Sequence, residues 1–377
     1  MHLTRRAFLA GAVAATAAQA LPLLPTGKVI GNFRLTKRCI DLKNHLAAWE
    51  DSVHFDGLKI SPDKINGTNQ TGTLLGWQVW RNDLGIDLSR WEPEIAALES
   101  TPFVRYTDNF LAVYCAAPGY TPTYKDWFDD MAWNTYVLPN VVKVASVIQR
   151  CQNQLRGGML FDVESYQGEI FRYPLQPYAS TKPFSEYYTK VRQRGREFMA
   201  AVQEGYSQCN VMVTYGYSLA YRPPIVGGTL ETSKNGLLPA FLDGMLEQIQ
   251  PPQLLYDGFE NAYDYKTVSA FESGYQTIHR HNTCDPWYAA DVQMKFRQHY
   301  RASFGLWVDY YSNATYSPWE TVAPYNGNYF SPVDFEHAVR TALQYTDKYV
   351  WVYTYTPDWY GVSMPQAYRD ALNTAKG

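Results

Sequence analysis

The sequence predicts an α/β protein built as a single (β/α)8 TIM barrel, on three observations. Short apolar, β-branched or aromatic runs recur eight times, helix-period segments lie between them, and no Ser/Gly/Pro-rich linker divides residues 21–377. The predicted strands are residues 53–60, 75–80, 103–106 or 110–115, 158–164, 211–217, 253–259, 303–311 and 349–356. Several are nearly continuous apolar runs, as expected of parallel strands covered on both faces. Between them, Val141, Val144, Ala145 and Ile148 recur at helical spacing after Pro139. Ser185 is read as the cap of a second helix carrying Tyr187, Val191, Phe198 and Val202. Leu238, Phe241, Leu242, Met245 and Ile249 define a third, stopped by Pro251-Pro252. Ser331-Pro332-Val333-Asp334 opens the last with a capping-box pattern and Pro at the first helical position. A doubly wound open sheet is the alternative, weakened by the missing Gly-rich phosphate loop.

Residues 1–20 read as an export signal. Arg5-Arg6 is followed by a small-residue apolar stretch, and Ala18-Gln19-Ala20 offers a cleavage site. The expectation is a twin-arginine signal that engages the twin-arginine translocation machinery and gives a periplasmic or secreted product. The stretch is shorter than the ~20 apolar residues of a membrane span. Removing it leaves 31 basic and 36 acidic residues, a balance of −5 with no electrostatic footprint for nucleic acid.

The same residues bound the chemistry. Cys39, Cys115, Cys151, Cys209 and Cys284 are widely spaced without C-x-x-C, and buried free thiols are slightly favoured over disulfides. His279 and His281 lie in a polar stretch and read as surface residues; neither a metal nor a cofactor is expected. Gly216-Tyr217-Ser218-Leu219-Ala220 lacks the second Gly of a nucleophile elbow. Aromatic content is unusual, with 17 Phe, 11 Trp and 31 Tyr.

In a barrel, chemistry gathers at the carboxyl ends of the strands. Those positions offer Asp56, Asp162, Glu164, Tyr215, Tyr217, Asp257, Glu260, Trp307, Asp309, Trp351, Tyr353 and Tyr355, with Trp359 just beyond. Carboxylates and large aromatics dominate, and Lys, Arg and His are almost absent. That selection suits a neutral polyol: sugar rings offer C–H faces to aromatic rings, and a pair of carboxyl groups cleaves glycosidic bonds. The sharpest motif is Gly157-Gly158-Met159-Leu160-Phe161-Asp162-Val163-Glu164-Ser165-Tyr166, in which Asp162 and Glu164 share one strand face. Two acids so close repel when charged, which raises one pKa, expected to be that of Glu164.

Gly158, Asp162 and Glu164 resemble three positions of the D-G-x-D-x-D-x-E signature of family 18 chitinases. Tyr256-Asp257 resembles that family's strand-six Tyr-Asp, and Trp351 its floor Trp. The resemblance implies a barrel in which Glu164 is the proton donor. Gly157 and Leu160 replace the first two Asp residues, so the charge relay behind the donor is missing. Phe55-Asp56-Gly57, the strand-four Asp-x-Glu-x-Tyr and Asp257-Gly258-Phe259-Glu260 are also similar to secreted bacterial barrel proteins of glycosidase type. The sequence thus predicts an exported glycoside hydrolase acting on an oligo- or polysaccharide. Glu164 is the expected general acid/base, Glu260 the second carboxylate, and Asp162 the residue that tunes Glu164. Asp56, Tyr166, Tyr215, Asp257, Trp307, Asp309, Trp351, Tyr353, Tyr355 and Trp359 are expected to hold the sugar, with Asp257 and Asp309 as alternative partners for Glu164. A non-catalytic polysaccharide-binding barrel and a polysaccharide esterase or lyase are the competing classes.

Overall fold

The computed structural model describes residues 27–32, 38–64, 73–81, 83–115, 126–164, 169–220, 229–279, 288–310 and 319–377. Residues 1–20, Tyr166, His281 and Cys284 lie outside them. Nine parallel strands form one sheet: β1 (Lys28–Asn32), β2 (Gly57–Ile60), β3 (Phe110–Tyr114), β4 (Gly158–Asp162), β5 (Val211–Val213), β6 (Leu255–Asp257), β7 (Tyr300–Ala302), β8 (Phe304–Trp307) and β9 (Tyr349–Tyr353). Their order is β7-β6-β5-β4-β3-β2-β1-β9-β8. β7 and β8 are halves of one strand interrupted at Ser303, the first half pairing with β6 and the second with β9. The sheet therefore nearly closes on itself at eight strand positions, with helices outside: the (β/α)8 architecture.

Period-two alternation divides each strand between two environments. Ile30, Phe110, Leu160, Met212, Tyr256, Tyr349 and Trp351 pack together inside the barrel. Their neighbours Val29, Leu111, Met159, Phe161, Val211, Val213, Leu255, Val350 and Val352 pack with the helices. Gly305 makes room for Trp351 to cross the interior, since a Cβ there would stand 2.9 Å from the indole ring.

Two strand expectations are corrected. Residues 75–80 include a 3-10 helix, Leu75–Gln78, buried against β3, because a short apolar run does not by itself distinguish strand from buried helix. The run at 53–60 supplies the second strand, which starts only at Gly57; the first is Lys28–Asn32. Asp56 therefore enters β2 at the amino end of the barrel, where its carboxylate accepts the Val29 N–H at 2.7 Å and pairs with Lys376 at 2.8 Å. It is not at the mouth. The helices lie where expected at Leu138–Arg150, Phe184–Gly205, Leu238–Gln248 and Pro332–Tyr345. Ser331 accepts the Asp334 N–H as a cap, whereas Pro183, not Ser185, occupies the cap position of the second. Cys39, Cys115, Cys151 and Cys209 are free and buried. Among the described residues, no helix is long and apolar enough to cross a membrane.

Candidate active site at the barrel mouth

A cavity of ≈ 240 Å³ opens at the carboxyl ends of the strands, lined by Lys59, Asp162, Glu164, Thr214, Glu260, Tyr263, Trp307, Trp351, Tyr353 and Tyr355. Strand parity explains most of this set. Asp162 is two residues beyond inward-facing Leu160, and Tyr353 two beyond inward-facing Trp351. Asp162 Oδ1 accepts the Glu164 N–H at 2.9 Å and the Thr214 hydroxyl at 3.4 Å, while Thr214 Oγ1 accepts the Val163 N–H at 3.2 Å. Asp162 thus fixes the backbone that presents Glu164.

Glu260 arrives by a different route. Tyr256 points into the barrel, so Asp257 points out, toward the helices. There Asp257 Oδ1 accepts the Phe259 N–H at 3.0 Å and Oδ2 accepts the Tyr300 hydroxyl at 2.8 Å. Burial raises its pKa to about 6. Gly258 follows because a Cβ would stand 2.5 Å from the Val213 carbonyl oxygen. Phe259 then adopts φ 42°, ψ 61°, a left-handed conformation costly for a bulky residue, and this reversal turns Glu260 into the cavity. Asp257 holds the turn, and Glu260 is the acid that lines the cavity.

The two glutamates meet across the mouth. The Tyr215 hydroxyl donates to Glu164 Oε1 at 3.2 Å, and Glu260 lines the same cavity close enough for the charge of Glu164 to act on it. Burial, then the charges of Glu164 and Asp162, push the Glu260 pKa well above the usual carboxylate range. The environment of Glu260 therefore favours its protonated form. Its Oε2 is buried without a hydrogen-bond partner. Around the pair, Tyr263 stacks on Tyr353 at 5.9 Å between centroids and meets the edges of Trp307 and Trp351 at 5.5 and 5.6 Å. Trp351 Nε1 donates to the Gly258 carbonyl at 2.7 Å. Tyr355, 59% exposed, stands at the rim.

The other expected residues separate from this group. Asp309 accepts the N–H groups of Tyr355 and Thr356 at 2.9 and 2.8 Å and the Trp307 indole at 2.9 Å, so its oxygens hold the rim rather than face the cavity. Trp359 is 2% exposed and packs edge-on to Phe55 at 5.2 Å, in the core. Lys59, Thr214 and Tyr263 were missed. The signal for Lys59 was a lysine between the apolar Leu58 and Ile60 of a parallel strand. Among the described residues, no cluster of His, Cys, Asp and Glu fits a metal ion.

The raised Glu260 pKa has a stability consequence. As pH rises past the ordinary carboxylate range, near ~4.3, the unfolded chain releases this proton while the folded protein keeps it. The associated stability is present in acid and is lost as pH rises through the folded-state pKa. Urea midpoints should therefore fall with rising pH, and Glu260→Gln should flatten that decline; an unchanged slope would refute the assignment.

No protein-family model and no curated protein sequence matches the chain. Solved structures do. A glycoside hydrolase family 5 enzyme from Prevotella bryantii B14, in complex with a xyloglucan tetradecasaccharide, matches with TM-score 0.52 and 10% identity, over 94% of this chain and 97% of that one. GH5_18 from Streptomyces cattleya, in complex with GlcNAc, matches with TM-score 0.50 and 11% identity, over 94% of this chain and 80% of that one. The fold is thus a TIM barrel similar to those of family 5 glycoside hydrolases. Of the positions resembling family 18, Asp162, Glu164 and Trp351 line the cavity, whereas Tyr256 packs against Tyr349 inside the barrel.

Proposed function

We propose that the protein is a retaining glycoside hydrolase, with Glu260 as general acid/base and Glu164 as nucleophile. The observation that carries this reading is the pair of glutamates, from different strands, that line one aromatic-walled cavity at the barrel mouth. Retaining enzymes hold their carboxyl groups ≈ 5–5.5 Å apart, and inverting ones ≈ 6.5–9.5 Å, to leave room for water. The coupling of the two acids within one small cavity favours the first class.

Protonated Glu260 gives its proton to the glycosidic oxygen as the C–O bond breaks, and Glu164 attacks the anomeric carbon. Glu260, now ionised, takes a proton from water, whose oxygen displaces Glu164 and regenerates both groups. Tyr215 donates a hydrogen bond to Glu164, Asp162 holds the Glu164 backbone, and Trp307, Trp351, Tyr353 and Tyr355 offer aromatic surface to the sugar. A panel of α- and β-linked oligo- and polysaccharides tests the activity: the wild-type chain should release reducing ends from at least one. Binding without cleavage by wild type would instead make the barrel a polysaccharide-binding protein.

We further propose export by the twin-arginine route, on Arg5-Arg6 and Ala18-Gln19-Ala20. N-terminal sequencing of the native protein should begin at Leu21; an intact Met1 would contradict it.

A further inference from the structure

We propose that Lys59 is a positioning residue that balances the charge of the acid cluster formed by Asp162, Glu164 and Glu260, so that the cluster takes up fewer protons at working pH. The inference rests on the glycosidase reading of the site and adds a part that no residue pattern announced. Lys59 is the third residue of β2, and its neighbours Leu58 and Ile60 are fully buried on the helix side. Parity therefore sends Lys59 inward, into the cavity that holds the three acids. Its Nζ lies 5.3 Å from the centroid of the Tyr114 ring.

The groups facing it can be taken strand by strand. β3 contributes Tyr114, and β4 contributes Asp162 with Glu164 just beyond it. Tyr215 follows β5, while Glu260 and Tyr263 follow β6. Tyr353 and Tyr355 close the ring at β9, with Asp309 behind them bound to the rim N–H groups. Burial raises the phenol pKa values of Tyr215, Tyr263 and Tyr353, so these side chains are neutral. Among the described residues that line the cavity, Lys59 is the one cation against three carboxyl groups.

Neither charge set is stable here alone. Three converging carboxylates in a small cavity repel and take up protons, and a lysine partly withdrawn from water tends to lose its charge. Together they offset one another: desolvation lowers the Lys59 pKa, but Tyr114, Asp162 and Glu260 outweigh it and hold the value above that of an ordinary lysine. Without the ammonium, the cluster would bind protons more readily and lose negative charge that attack on an anomeric carbon requires.

The test titrates the protonated carboxyl groups by infrared spectroscopy in the full chain, with Glu260→Gln assigning the band. Lys59→Met and Lys59→Gln should move the midpoint upward by about 1–3 pH units, the effect of removing a nearby opposite charge, and Lys59→Arg should restore it. Both limbs of the kcat/KM–pH profile should move in the same direction, whereas a purely structural role would lower the profile without shifting it. An unmoved infrared midpoint in a folded variant overturns the proposal. If neither neutral variant folds, the nitrogen-15 signal of Lys59 Nζ in the wild-type chain decides: it must shift as the cluster titrates, and a signal blind to that titration overturns the proposal. The infrared titration needs no substrate, so a chain that shows the shift yet cleaves no glycoside retains this inference and loses the glycosidase reading.

Discussion

Replacing Glu164 or Glu260 by Gln should lower turnover on a cleaved glycoside by roughly 10³-fold or more, with little change in folding. Each amide keeps the shape of the carboxyl group and its reach across the mouth. Glu164→Gln removes the proposed nucleophile, whereas Glu260→Gln removes the proposed proton donor, whose pKa burial and two neighbouring acids raise. The two losses should differ with substrate. A good leaving group needs little protonation, so an aryl glycoside should partly rescue the first step in Glu260→Gln and should not rescue Glu164→Gln. The double variant should be scarcely worse than the poorer single one, because residues that act as a unit are not additive. Steady-state kinetics on all three variants measures this. Full activity in either single variant would remove that residue from the mechanism.

Trp359→Ala should act on stability and not on the site. The ring is 2% exposed and packs between Phe55 at 5.2 Å and Phe335 at 6.0 Å. Truncating a large buried aromatic leaves a cavity that costs about 3–5 kcal/mol. The expected result is a clear loss in the urea midpoint, with oligosaccharide affinity unchanged in the protein that remains folded. Weakened binding at unchanged stability would return Trp359 to the site. Its carbonyl, which accepts from Arg369 Nε at 2.9 Å, ties this region to the last helix, Gln366–Lys376, and adds to the structural reading.

The contrast between Trp359 and Trp351 shows what the sequence carried. Both were read as aromatic wall, because composition and position after a strand do not reveal which way a ring points. Within a strand, parity does: Tyr349, Trp351 and Tyr353 alternate with Val350 and Val352, and the first set faces inward. Beyond the strand end the alternation lapses, and Trp359 turns into the core. The same rule separates Asp162 and Glu164, which it places correctly at the mouth, from Asp257, which it sends toward the helices once Tyr256 is known to point in. Glu260 escapes the rule altogether, since the left-handed Phe259 reverses the chain before it. The Asp-Gly-Phe-Glu segment was visible as a motif; the division of labour within it was not.

The eight strand positions were reached by two errors that cancel in number. Residues 75–80 are as apolar as a strand yet contain a buried helical turn, and Lys28–Asn32, with a lysine and a glycine among five residues, carries too weak a pattern to stand out. Asp56 was misplaced as a consequence, because a run counted from residue 53 hides the fact that the strand begins at Gly57. The mouth position of the 53–60 run was assigned to Asp56, whereas with the strand beginning at Gly57 the residue that reaches the cavity is Lys59.

The most direct test of the roles proposed for Glu164 and Glu260 is the stereochemistry of the first product. Proton NMR of the anomeric region, recorded before mutarotation on a glycoside the protein cleaves, reports which anomer is released. The close pair predicts the same anomeric configuration as the substrate, by way of a covalent intermediate on Glu164. First release of the opposite anomer would require the two carboxyl groups to act ≈ 6.5–9.5 Å apart across a bound water, and would contradict the arrangement proposed for Glu164 and Glu260.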